Sequence, residues 1–414
     1  MDIGRVGIWT FSLELQPAAR AQEAAAEIES LGYPALWIPE AMGREAFTHS
    51  GLLLAGTTRL VVATGIANVW GRDAMAMAAA ERTLDEAYPG RFLLGLGVSH
   101  APLVEGMRGH RYDKPFSFMR SYLDAMDLAP FMASPPSTPP QRIIGALAPK
   151  MLGLAAQRTL GAHPYFVPPE HTARAREIMG RGPLLAPEQA VILETDPATA
   201  RAIARGHMAM YLGLPNYTNN LRSLGFGDAD LADGGSDRLV DAIVAWGDID
   251  AIRARIRAHH DAGADHVCIQ VLPPDPRALP MQAWRELAPA PGAGSSTQQR
   301  RQCGRLQSRR GPAFVPERGS AHHVPGRLPH AQDPAQAGRP AGHRADRHPA
   351  RDDGGVGPGA WSLVDYYEND AELLVHGLVD HARHLGIVLV VVDQAPRQVP
   401  HRHRLEPGAG RRGA

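Results

Sequence analysis

The sequence predicts a closed (β/α)8 barrel over residues 1–290, followed by a segment with no core of its own. Three observations predict it. Short apolar runs alternate with Ala-rich amphipathic stretches, eight of each, within a length that suits one such barrel. Most runs are continuous rather than alternating, as strands buried on both faces require. The composition then changes abruptly near residue 290, where WRELAPA runs into PGAGSSTQQRRQCGRLQSRRG. An open doubly wound sheet is the alternative, but it calls for fewer strands and a clearer phosphate loop.

Taken in order, RVGIWTF at 5–11 reads as the first strand, and Pro17 opens a helix that runs to Leu31 before Gly32. ALWIPE at 35–40 is the second strand, a helix through SGLLLAGTT follows, and RLVVATGIANV at 59–69 is the third. The helix at 73–87 stops at Pro89-Gly90, and RFLLGLGV at 91–98 is the fourth strand. A helix at 117–131 and a Pro-rich loop lead to RIIGAL at 142–147, the fifth. Pro149-Lys150 begins a helix to about Leu160, and HPYFVP at 163–168 is read as the sixth strand. EQAVILETD at 188–196 is the seventh, trailed by helical segments with a polar insertion around 215–237. In the last unit Asp248 caps a helix with Ile249, Ile252 and Ile256 on one face, Gly263 ends it, and HVCIQVLP is the eighth strand.

The chain of 414 residues has 43 basic and 43 acidic side chains, and this zero balance is a sum of unlike parts. From Pro291 onward there are 17 Arg, no Lys and 12 acidic residues, which leaves 26 basic and 31 acidic groups for residues 1–290. Residues 291–360 hold mostly Gly, Pro, Ala, Arg, Gln and His, too little apolar surface to offset chain entropy, and are expected to be disordered. Reading a GC-rich gene out of frame from about residue 290 would produce such a composition. Residues 361–414 add one short helix-strand unit and a further tail. Neither balance nor patterning supports a nucleic-acid partner. Two cysteines give no disulfide framework, the N-terminus MDIGRVGIWTF is not a signal sequence, and no run approaches the ~20 apolar residues of a membrane helix. A cytoplasmic protein acting on a small molecule, with no membrane contact, is the expectation.

Five stretches carry a resemblance: GYPALWIPEAMGRE (32–45), RLVVATGIANVWGRDAMAMA (59–78), YPGRFLLGLGVSHAP (88–102), IIGALAPKMLGLAAQRTLGAHPYF (143–166) and GDIDAIRARIRAHHDAGADHVCIQVL (247–272). With these, residues 1–290 resemble the bacterial luciferase-like monooxygenase superfamily, in particular its coenzyme F420-dependent oxidoreductases. The resemblance implies a TIM barrel of the bacterial luciferase-like type, an insertion after strand seven, and a deazaflavin at the C-terminal strand ends. It also implies a homodimer and a non-proline cis peptide at Gly65-Ile66 behind the cofactor ring, with Asn68 beside the ring and Trp70 against the substrate. FMN is the alternative cofactor, with monooxygenase chemistry, and a cofactor-binding barrel without turnover is the non-enzymatic alternative.

The residues speak to the same site. Gly97 and Ser99 end strand four with little side-chain bulk, where a ring or phosphate could approach, or where the barrel simply turns tightly. Ala146, Leu147, Ala148, Pro149 and Lys150 lead from strand five into a helix whose positive end suits a phosphate; Lys150 is one of two lysines in the chain and also reads as a solvated surface group. Some members of that family place an acid-histidine pair after strand two, whereas this chain has Pro39-Glu40-Ala41 and no histidine there. Glu40 and His100 are therefore the candidates for moving the product's proton. Glu40 alternatively forms an ion pair with Arg44 or Arg72, and His100 alternatively bonds to backbone. His163 either lines the substrate site or packs in the core. His259 and His260 are adjacent on a helix and cannot share a metal, Cys268 reads as a core residue, and no metal motif is present.

Overall fold

A computed structural model describes residues Met1–Pro289. The expectations for residues 291–360 and 361–414 lie outside the described residues.

Every strand pairing is parallel. β1 (Val6–Trp9) lies between β2 (Ala35–Ile38) and β11 (Val267–Val271). The ring continues from β2 through β3 (Val61–Thr64), β5 (Phe92–Gly97), β6 (Arg142–Ile144) and β7 (Gly161–Ala162) to β8 (Leu184–Leu185). β4 (Ala67–Asn68) is a second segment beside β5, and β9 (Glu188–Ile192) pairs with β11 and with the short β10 (Ala245–Trp246).

β8 and β9 are one extended run. On one side Ala186 N–H donates to Ala162 O and Glu188 N–H to Pro164 O, both at 2.9 Å. On the other, Leu185 O accepts from Asp265 N–H at 2.9 Å and Pro187 O from Cys268 N–H at 3.0 Å. Bonded on both edges, residues 184–192 close the eight-membered ring that the sequence predicts.

Strand periodicity sorts the core. Leu36, Ile38, Val62, Leu94, Ile144 and Ile269 pack outward with Ala21, Ala24 and Ile28 of α1 (Ala18–Ser30) and with the other surrounding helices. Ala35, Trp37, Ala63, Leu93, Ile143 and Cys268 fill the interior with Trp9. The helices α2 (Ala46–Ala55), α3 (Ala74–Ala87), α4 (Pro115–Leu128), α5 (Pro149–Arg158) and α6 (Pro169–Met179) follow successive strands. Between β9 and β10 stand α7 (Pro197–Leu212), α8 (Pro215–Ser223), α9 (Asp228–Leu231) and α10 (Asp237–Ile243), which share a core with Phe166, Ala190 and Ile192. α11 (Ile249–Asp261) is capped by Asp248, whose side chain accepts from Ala251 N–H at 2.8 Å, and α12 (Met281–Glu286) closes the described part.

Two strand expectations need correction. The third strand is not continuous over 59–69: it ends at Thr64, the Gly65-Ile66 peptide is cis, and the chain resumes as β4. The sixth strand is Gly161–Ala162, not 163–168. Pro164 has no N–H for the ladder, and Phe166 takes a left-handed backbone with φ of 60°, so the apolar run HPYFVP becomes a loop.

Outside the barrel, Arg142 at the start of β6 donates through Nε and Nη2 to the carboxylate of Glu81 on α3 at 2.6–2.9 Å, and Glu81 is wholly buried. Removing the guanidinium leaves that carboxylate without its partner. Arg142→Met is expected to lower stability by about 3–5 kcal/mol, measured by urea unfolding; a loss under ~1 kcal/mol would show that the pair does not tie α3 to the barrel.

Candidate active site at the C-terminal ends of the strands

Glu40 follows β2 and is engaged as an acceptor at both carboxylate oxygens. Oε2 takes the Asn68 N–H at 2.7 Å and Arg72 Nη1 at 3.0 Å; Oε1 takes the Ala46 N–H at 3.3 Å and Arg72 Nη2. Of the two readings, the structure places Glu40 in an ion pair with Arg72, where it anchors the loop carrying β4.

That loop shapes the mouth. The Asn68 Oδ1 accepts from Trp70 N–H at 2.9 Å, and Trp70 Nε1 donates to Val98 O at 2.9 Å. The Trp70 ring stacks on Phe118 at 3.9 Å and 4° between planes, so one of its faces is covered by α4. The side chain of Ile66 turns toward β5 and β6: a Cβ on Gly97 would lie 2.3 Å from Ile66 Cγ1, and one on Gly145 would lie 3.1 Å from Ile66 Cγ2. Room at Gly97 is therefore taken by Ile66 rather than left open.

Beyond Gly97, Ser99 adopts a left-handed conformation with φ of 56°. Its carbonyl accepts from the Tyr112 hydroxyl at 3.2 Å and from Asn216 Nδ2 at 3.4 Å. His100 lies against α8, with the Tyr217 ring 5.1 Å away, and burial pushes its pKa down to about 4.

The segment from β6 into α5 adjoins these groups: Gly145 lies beside Ile66, and Leu147 packs against the cluster that contains Tyr217. Ala146 is buried, Leu147 O accepts from His171 Nε2 at 3.0 Å, and Ala148 O accepts from Met151 and Leu152 N–H at the helix start. Pro149 occupies the first turn, and Lys150 is exposed with no ion-pair partner among the described residues.

His163 is a packed interior residue, 1% exposed. It stacks on Trp37 at 4.5 Å, and its Nδ1–H donates to Ala186 O at 2.7 Å. Burial lowers its pKa to about 4 despite that bond, so it is neutral and does not line an open substrate site. His259 lies inside its helix interface, bonded to Thr172 and Gln189.

The sequence reading missed a layer built by β9 and the insertion. Tyr165 OH donates to Gln270 Oε1 at 2.8 Å and meets Tyr211 OH at 2.8 Å; the rings of Tyr211 and Tyr217 pack around Tyr165, and Phe166 packs on both of them. Below them sits Glu188, 2% exposed, with Oε2 accepting the Phe166 N–H at 3.1 Å and Oε1 without a partner among the described residues. Burial raises its pKa to about 8, with no cation among the described residues to offset desolvation. Period-two reading of EQAVILETD points Glu188 inward with Ala190 and was the available signal; α8 offered none.

The profile of the luciferase-like monooxygenases matches residues 5–266. The chain belongs to that family. A Mycobacterium tuberculosis protein named as a coenzyme F420-dependent oxidoreductase is 27% identical, over 64% of this chain and 93% of its own. Two solved structures share the fold. An F420-dependent secondary alcohol dehydrogenase in complex with an F420-acetone adduct superposes with TM-score 0.56 and 15% identity, over 69% of this chain and 97% of that one. The FMN complex of the oxygenating constituent of 3,6-diketocamphane monooxygenase from Pseudomonas putida gives TM-score 0.54 and 17% identity, over 70% and 99%. Among the described residues of this luciferase-like barrel, no helix is long and apolar enough to cross a membrane, and no cluster of His, Cys, Asp and Glu could hold a metal ion.

The neutral acid of the barrel has a measurable consequence. With its folded pKa near 8 against an ordinary 4.5, Glu188 keeps a proton that the unfolded chain releases between those values. Its contribution is fully present below about pH 4.5 and is lost as pH rises through 8. Glu188→Gln is expected to flatten that decline, by a few kcal/mol at about pH 8.5 given ~1.36 kcal/mol per pKa unit. Urea unfolding at about pH 5 and 8.5 reads it; an unchanged difference between the two would mean that Glu188 is ionised in the fold.

Proposed function

We propose that this luciferase-like barrel is a coenzyme F420-dependent oxidoreductase acting on a small unsaturated or carbonyl-bearing organic substrate. The observation that carries the reading is likeness over most of the barrel to a relative named for that coenzyme, and the donor set agrees with it. An exposed lysine at a helix start, with no acidic partner among the described residues, fits an anionic cofactor tail. When bound, the deazaflavin supplies a two-electron hydride donor or acceptor.

The protein's own groups have separable tasks. Lys150 and the first turn of α5 would hold the anionic end. Ile66, placed between β3 and β4 against Gly97 and Gly145, would offer an apolar wall to a flat ring. Glu40 and Arg72 fix the loop that presents Asn68 and Trp70, so Glu40 positions the site and His100 is the group left to meet the substrate. The FMN-bound neighbour keeps FMN as the rival cofactor.

Titration of the full chain with coenzyme F420 and with FMN, followed by deazaflavin and flavin absorbance, tests the assignment. F420 is expected to bind more tightly and to change redox state with a carbonyl or enone substrate. Lys150→Ala should weaken F420 binding about tenfold or more, the loss of one charge-assisted contact, with little change in stability. Tighter binding of FMN would overturn the cofactor, and binding without turnover across the substrate panel would leave a cofactor-binding barrel.

A further inference from the structure

Asn216, at the start of α8, reaches two groups of the β5 loop. Its Nδ2 lies 3.4 Å from Ser99 O and 3.3 Å from His100 Nδ1. A carbonyl oxygen only accepts, so the amide end serving Ser99 is the NH2 end, and this same donor group stands within bonding distance of His100 Nδ1. The opposite orientation would set the amide oxygen against the Ser99 carbonyl. With a donor facing it, Nδ1 of His100 must offer its lone pair, and the ring's proton then resides on Nε2. Ser99 O also accepts from the Tyr112 hydroxyl at 3.2 Å, and that hydroxyl is itself hydrogen-bonded to the Asn216 side chain.

The surroundings keep the ring neutral. It is faced by Asn216 and Tyr217 of α8, with Tyr112 beside Asn216, and no charged side chain among the described residues contributes to its titration, which burial moves to about 4. A neutral imidazole is a poor source of protons, because losing one leaves a strongly basic anion. Its N–H is nevertheless well suited to stabilise charge that develops on an oxygen.

We propose that Asn216 is a positioning residue that holds His100 as the Nε2–H tautomer, so that the mouth offers the carbonyl oxygen of a ketone or aldehyde substrate a neutral hydrogen-bond donor. This rests on the oxidoreductase reading and narrows it from unsaturated compounds in general to carbonyls. With reduced deazaflavin as the reductant, hydride forms a bond to the carbonyl carbon while the C=O π pair moves onto oxygen. The Nε2–H meets that charge, and a proton from water completes the alcohol.

Long-range proton–nitrogen NMR on the full chain labelled with 15N-histidine reads the tautomer without cofactor, the His100 signal being assigned by its loss in His100→Gln. In the unsubstituted protein Nε2 is expected to carry the proton, with no titration above about pH 5. Asn216→Asp replaces the donor by an acceptor, so the proton should move to Nδ1 and the ring's pKa should rise toward or above 6.5. Asn216→Leu should give a mixture of tautomers and lower kcat for carbonyl reduction about 10–100-fold, with the affinity for coenzyme F420 unchanged. Asn216 is exposed, so neither substitution touches the core. A proton on Nδ1 in the unsubstituted protein, or an unaltered tautomer in Asn216→Asp, overturns the proposal. If no form binds the coenzyme while the tautomer behaves as expected, the oxidoreductase reading falls and the role of Asn216 stands.

Discussion

The whole arrangement depends on residues 184–192 being hydrogen-bonded on both edges. Pro187 interrupts the run, yet its carbonyl still accepts from Cys268 N–H, and Ala186 and Glu188 still donate to the β7 side. Without that double bonding the sheet would have two free edges and no distinct interior. With it, alternate side chains of each strand divide between an inner layer around Trp9, Trp37 and Cys268 and an outer layer under the helices. Closure also decides the surroundings of Glu188, an inward position on the closing strand, which must share a dry interior with aromatic rings.

Most of the barrel was legible because its strands are continuous Val-, Ile- and Leu-rich runs bounded by helix caps. VVAT, FLLGLG and VCIQV fall where expected, and the Asp248 cap starts α11 as read. HPYFVP misled because its apolar content matches a strand, while Pro164 removes a donor and Phe166 turns left-handed. Apolar composition measures burial, and a buried loop satisfies it as well as a strand does.

The site was legible in part, for a related reason. Glu40, Trp70, Ser99 and His100 follow strands and Asn68 ends one, so position along the chain places them at the mouth. What each side chain touches depends on contacts across long stretches of sequence: Glu40 with Arg72, His163 with Trp37, His100 with Asn216. No local pattern encodes such pairs. Asn216 and Tyr217 lie in a polar stretch whose only periodic signal is the helix itself, and their value appears only when α8 is seated beside the β5 loop.

That seating separates two kinds of inheritance. The barrel provides the strands, the break between β3 and β4 and the start of α5, whereas the partners of His100 come from a helical excursion between β9 and β10. Changes in the excursion can retune the histidine's chemistry while the parts that carry the fold stay as they are. Divergence among barrels of this kind can then proceed by exchange of the excursion, with specificity altered at small cost to folding.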